Sequence, residues 1–159
     1  MHIATPLPGC ALRPWRAADR DSLVRHADNR LVWRNLTDTF PHPYTLQDAD
    51  GWLASCAQPG RSVHLAITVD DAAVGGVGAI AGSGIGCAGA DFGYWLGQAF
   101  WGRGIATEAL QGADSRTWYR SAKPRSFPAS TRPLTRHPRA KAAACVVTRP
   151  PVATKPRSR

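Results

Sequence analysis

Between Ser62 and Val69 the chain alternates: Val63, Leu65, Ile67 and Val69 are interleaved with Ser62, His64, Ala66 and Thr68. A period of two over eight residues predicts a half-buried β-strand. Asp70-Asp71 supplies turn chemistry, and the glycine-rich residues 73–80 return as a second strand, so the pair forms an antiparallel hairpin. A Gly/Ser/Ala-rich loop runs to Ala90. Beyond it, Phe92, Tyr94 and Leu96 alternate with Asp91, Gly93 and Trp95 as a third strand.

Upstream the period is helical. Leu23, Val24, Ala27, Leu31 and Val32 recur at helical intervals among Arg and Asp, predicting a helix over 19–36. Pro41 and Pro43 end it, because each lacks a donor and biases the preceding residue to extended geometry. Thr45-Leu46-Gln47-Asp48 reads as a capping box opening a short helix through Trp52, Leu53 and Cys56. Residues 11–15 form a short first strand. Residues 98–104 form a turn, and residues 105–110 begin a last helix. This order predicts an α+β (α/β) fold, a mostly antiparallel sheet flanked by helices, with chemistry expected where the third hairpin-layer strand enters the helix.

Composition changes this picture only at the C-terminal end. The 159 residues are one domain's worth of chain, with an ordinary apolar share of 43%. Residues 1–112 hold eight Arg and no Lys against nine Asp and one Glu, a net of −2. Residues 113–159 hold nine Arg and three Lys against Asp114, a net of +11. All fifteen glycines fall in the first part and seven of the thirteen prolines in the second. That tail has only Phe127, Leu134, Val146, Val147 and Val152 as Phe, Leu or Val, too few to bury a core, so it reads as disordered. Such an arm could neutralise nucleic-acid phosphates; a solvated segment without a partner is the plainer reading. The abrupt shift in composition is what a change of reading frame would produce.

No run approaches the roughly 18 apolar residues of a membrane span, and the N-terminus carries no readable signal peptide, so a cytoplasmic location is expected. Cys10, Cys56, Cys87 and Cys145 form no C-x-x-C pair, which argues against a metal site and for reduced thiols.

The chemistry concentrates in Trp101-Gly102-Arg103-Gly104-Ile105-Ala106. A helix start has unpaired N–H groups and the positive end of the macrodipole. Alternate glycines let the backbone approach an anion, and Arg103 adds a positive charge at the mouth. The arrangement predicts a diphosphate cradle. A P-loop is excluded, since Arg103-Gly104 follows Gly102 where Lys-Ser/Thr would be needed. Gly84-Ile85-Gly86-Cys87-Ala88-Gly89 matches G-x-G-x-x-G but precedes a strand, so it reads as a loop.

Residues 90–97, followed by Phe100-Trp101-Gly102-Arg103-Gly104-Ile105-Ala106-Thr107-Glu108-Ala109, resemble the GNAT acyltransferases, in particular the ribosomal-protein-alanine N-acetyltransferase branch. The resemblance covers residues 10–112, and nothing after residue 112 is similar to that family's second half. It implies a GNAT-like sheet incomplete at the C-terminus and acetyl transfer from acetyl-CoA to a primary amine, on a protein N-terminus or a small molecule, without a metal. It further implies that Trp101, Gly102, Arg103, Gly104, Ile105 and Ala106 bind the cofactor diphosphate, while the strand carrying Trp95 and Leu96 pairs with the pantetheine arm. Asp91 is the candidate general base, with a solvated carboxylate at a strand start as the competing reading. Tyr94 is read as core, and Glu108 as a residue stabilising the helix's first turn. The rival from another class is a non-catalytic binding module whose basic arm takes nucleic acid.

Overall fold

The period-two segment becomes a strand with the bounds its pattern predicts, Ser62–Val69. The computed structural model describes residues 2–58, 62–81 and 90–113, with the side chains of residues 80, 81, 90 and 91 outside that description. Within it the strands are β1 (Ile3–Ala4), β2 (Cys10–Pro14), β3 (Ser62–Val69), β4 (Ala72–Ala81) and β5 (Ala90–Leu96). The helices are α1 (Arg20–Ala27), α2 (Arg30–Trp33), α3 (Leu46–Ala57) and α4 (Ile105–Gly112). The strands form one antiparallel sheet in the order β1-β2-β3-β4-β5. The α+β fold expected from the sequence is the one observed. The Gly84–Gly89 motif, Cys87, Cys145 and the basic segment beyond Ala113 lie outside the described residues.

Three details depart from the sequence pattern. The helix expected over 19–36 is two helices. Asn29 takes an extended conformation (φ −142°, ψ 120°) and its side chain accepts the Leu31 N–H at 2.8 Å, so a cap interrupts an unbroken apolar period. β3 is buried on both faces rather than one over Leu65, Ala66, Ile67 and Thr68, because helices cover both sides of the sheet. The short β1 pairs Ile3 with Leu12 and Ala4 with Ala11, covering the edge of β2.

Alternation along β5 assigns the two cores. Tyr94 and Leu96 join Leu12, Leu65, Ile67, Val77, Ile105 and Ala109 on the α4 side. Trp95, between them in sequence, joins Leu23, Ala27, Val32, Tyr44 and Ala49 on the side of α1, α2 and α3. In β4, Ala73 pairs with Thr68 and Gly75 with Ile67, so Val74 is an extra, bulged residue. The bulge lets Val74 and Val77 enter the same core although three positions apart. α3 is closed by the predicted capping box: Thr45 Oγ1 accepts the Asp48 N–H, and Asp48 accepts the Thr45 N–H.

The β3–β4 turn places Asp70 and Asp71 at φ 50° and 63°, the two left-handed positions of a type I′ hairpin. Asp71 then accepts from Arg13 Nε at 2.9 Å and from Arg16 Nη1 at 3.0 Å. The hydrogen bond from Arg13, followed by that from Arg16, holds its carboxyl below the usual carboxylate range. A depressed folded pKa contributes stability that is present above the unfolded value of about 3.9 and is lost as pH falls through the folded one. Asp71→Asn is therefore expected to flatten the acid limb of unfolding midpoint against pH below about pH 4. An unchanged slope would show that these ion pairs contribute nothing.

Candidate functional site: the turn from β5 into α4

The turn begins where β5 stops pairing. The Gly97 N–H donates to the Val74 carbonyl at 2.8 Å, and residues Gln98–Phe100 wind into one 3₁₀ turn. The Phe100 N–H donates to the Gly97 carbonyl at 2.9 Å and the Trp101 N–H to the Gln98 carbonyl at 3.1 Å. The Trp101 indole folds back and donates Nε1–H to the Leu96 carbonyl at 2.7 Å, so the ring braces the turn.

Beyond Trp101 the backbone changes character. Gly102 and Gly104 lie at φ 76° and 75°, in the left-handed region, and a Cβ at either would face open space. Glycine is needed at both positions for conformation rather than for room. Gly104 caps α4 with no side-chain hydrogen bond, whereas α2 and α3 are capped by Asn29 and Thr45. The first backbone bond of α4 runs from the Glu108 N–H to the Gly104 carbonyl, at 3.1 Å. Among the described residues, nothing accepts from the N–H groups of Gly102, Arg103, Gly104, Ile105, Ala106 or Thr107. A run of donors with alternating left-handed residues, at a helix start, forms a concavity suited to anionic oxygens.

Arg103 adds a mobile cation. Its guanidinium carbon stands 5.5 Å from the Phe100 ring centroid, and its side chain has no ion pair among the described residues. Glu108 is positioned in the first turn of α4, where a carboxylate favours the positive helix end.

The residues singled out from sequence fall into three groups. Gly102, Arg103, Gly104, Ile105 and Ala106 share the turn and contribute unengaged N–H groups. Trp101 and Leu96 are engaged with each other, and Trp95 is 8% exposed, packed at 6.5 Å against Trp15 on the α1 side. Asp91 is set in β5 opposite Ile80, at the end away from the turn. Tyr94 is core, as its alternation suggests. Sequence reasoning missed the Thr107 amide, which the position of the first helical bond reveals, and His26, which lies against Gly97 through tertiary packing alone.

No group of three or more His, Cys, Asp or Glu that could hold a metal occurs among the described residues. Cys10 and Cys56 are free thiols, and burial pushes the Cys56 thiol up to about 11, which keeps it protonated at neutral pH. No helix among the described residues is long and apolar enough to cross a membrane.

This sheet, with a run of unengaged amides between its last described strand and the following helix, has the fold of solved acetyltransferases. The chain belongs to the GNAT acetyltransferases: the profile of the acetyltransferase (GNAT) domain matches residues 10–137, reaching past residue 112. It is accordingly an acetyltransferase domain of the GNAT type.

Solved structures agree in fold. RimL, a ribosomal L7/L12 alpha-N-protein acetyltransferase in complex with coenzyme A, superposes with a TM-score of 0.62 at 21% identity, covering 77% of this chain and 70% of its own. Mycobacterium smegmatis RimJ in complex with a CoA-disulfide gives 0.60 at 20% identity, covering 77% and 63%. The microcin C7 self-immunity acetyltransferase MccE, in complex with acetyl-CoA and AMP, gives 0.60 at 18%, covering 73% and 66%. This chain thus spans about two thirds of these proteins. No curated protein matches it in sequence.

Proposed function

We propose that the Gly102–Thr107 amides grip the diphosphate of acetyl-CoA and that the chain transfers the acetyl group to a primary amine on a protein N-terminus. One observation carries the reading: six consecutive N–H groups at a helix start lack any described acceptor. Each such donor to a phosphate oxygen contributes about 1.5–3 kcal/mol, being charge-assisted. Arg103 closes over the same anion from the solvent side.

In this reading Trp101 is a brace. Its indole and amide are spent inside the turn, and it keeps the Gly102–Gly104 segment in its left-handed geometry. Trp95 and Leu96 hold β5 by burying their side chains on opposite faces, which leaves strand backbone for the pantetheine arm. Asp91, on the same strand, is the proposed general base that removes the ammonium proton before the amine attacks the thioester carbonyl. The protein N-terminus is chosen as acceptor because RimL, similar in fold, is described as an alpha-N-protein acetyltransferase. Free thiols at Cys10 and Cys56 suit a cytoplasmic enzyme. We assign residues 1–112 to the N-terminal part of the acyltransferase domain; the basic segment 113–159 begins within the stretch, to residue 137, that the family profile matches.

Coenzyme A at 100 times its dissociation constant should stabilise the full chain by about 2.7 kcal/mol, read as a rise in unfolding midpoint. Radiolabelled acetyl transfer across a panel of peptides and small amines should then select N-terminal peptides. Absence of any shift with millimolar coenzyme A contradicts the cradle. A shift without transfer to any amine contradicts the base and acceptor assignments.

A further inference from the structure

The last turn of α1 underlies the cofactor turn. The His26 imidazole meets the Phe100 ring edge-on, with centroids 5.4 Å apart and planes at 79°. It lies so close to Gly97 that a Cβ there would stand 2.8 Å from His26 Nδ1 and 3.0 Å from Cγ. Three residues on, Asn29 Nδ2 donates to Gln98 Oε1 at 2.9 Å. The 3₁₀ segment Gln98–Phe100 is therefore clasped from the α1 side at both of its ends.

The same ring is met by Arg103, whose only partner among the described residues it is. An exposed guanidinium on a flexible stem has many rotamers, and a cation–π contact restricts them. The ring restricts Arg103 only if the ring is itself held: it packs against the α4-side core, and His26 meets it edge-on. Burial, and then the nearby Arg25, lower the pKa of His26, so at neutral pH it acts as an aromatic edge rather than as a charge.

We infer that His26 is a positioning residue for acetyl-CoA binding, acting through Phe100 to hold the Arg103 guanidinium at the mouth of the diphosphate cradle. The inference rests on the diphosphate reading of the turn. His26 is half-buried and borders an open depression of about 390 Å³ lined also by Arg25, Asn29, Gln98 and Ala99. Truncating it opens no sealed cavity, so the variant is expected to fold.

The test is calorimetric titration of coenzyme A into the full chain and its variants. His26→Ala should weaken binding about fivefold, the span of one aromatic contact. His26→Phe, which restores an uncharged ring edge, should return affinity to within about twofold of the parent. In an Arg103→Ala background, His26→Ala should change affinity by less than about twofold, the non-additivity that coupled residues show. Phe100→Leu should copy His26→Ala and be equally non-additive with Arg103→Ala, a second route should His26→Ala fail to fold. Equal losses with and without Arg103, or no loss from either variant, overturn the inference while leaving the cradle intact. A parent chain that does not bind coenzyme A overturns both.

Discussion

Arg13→Met should lower the unfolding free energy by about 3–5 kcal/mol, a large part of the stability of a domain this size. All five guanidinium N–H groups are engaged. Nε donates to Asp71 Oδ1 at 2.9 Å; Nη1 donates to Asp19 Oδ2 at 2.7 Å and to the Pro14 carbonyl at 3.2 Å. Nη2 donates to Asp19 Oδ1 and to the Asp71 carbonyl, both at 2.8 Å. Arg13 and Asp19 are 3% and 6% exposed. The hydrogen bond to Asp19 raises the guanidinium pKa further, so Arg13 stays charged. Removing the cation strands a buried carboxylate and unties three elements at once: β2, the β3–β4 turn and the entry to α1. Urea unfolding followed by tryptophan fluorescence measures the loss. Asp19→Asn in the same chain should recover part of it, since a neutral amide strands no charge. A loss under about 1 kcal/mol would show that the lock is not needed.

Gly104→Val should reduce coenzyme A affinity by more than about 100-fold, the equivalent of two lost charge-assisted hydrogen bonds. A β-branched residue is a steric outlier at φ 75°, so the backbone must rotate out of the left-handed region and carry the first amides of α4 with it. The fold should survive the change at about 1–3 kcal/mol of backbone strain, because a Cβ at Gly104 meets nothing within 4 Å. Calorimetry and a thermal unfolding curve on one preparation separate the two effects. A variant binding coenzyme A within about threefold of the parent would show that left-handed geometry at Gly104 is not what the ligand requires.

Local rules read correctly where local physics decided. The period of residues 62–69, the Thr45–Asp48 box and the Gly102–Gly104 turn each declare themselves within a few residues, and the structure places a strand, a capped helix and a left-handed turn there. What was not legible depends on partners distant in sequence. Arg13 sits between Leu12 and Pro14 in a strand and looks like an outward-facing charge; its burial depends on Asp71, 58 residues away. The split between α1 and α2 is invisible to apolar periodicity, which runs on through Asn29 while the polar cap breaks the helix. β1 is too short to show any period. In the site, alternate glycines marked the left-handed turn, but the bracing by the Trp101 indole and the contact of His26 with Phe100 arise only once the chain has folded.

Amide proton–nitrogen spectra of the labelled full chain, titrated in parallel with coenzyme A and with pantetheine, address the cradle most directly. Hydrogen bonding to phosphate should move the Gly102–Thr107 amide resonances with coenzyme A and leave them in place with pantetheine, which lacks the diphosphate. Coenzyme A binding elsewhere while those six resonances stay fixed would contradict the assignment of this turn as the diphosphate site.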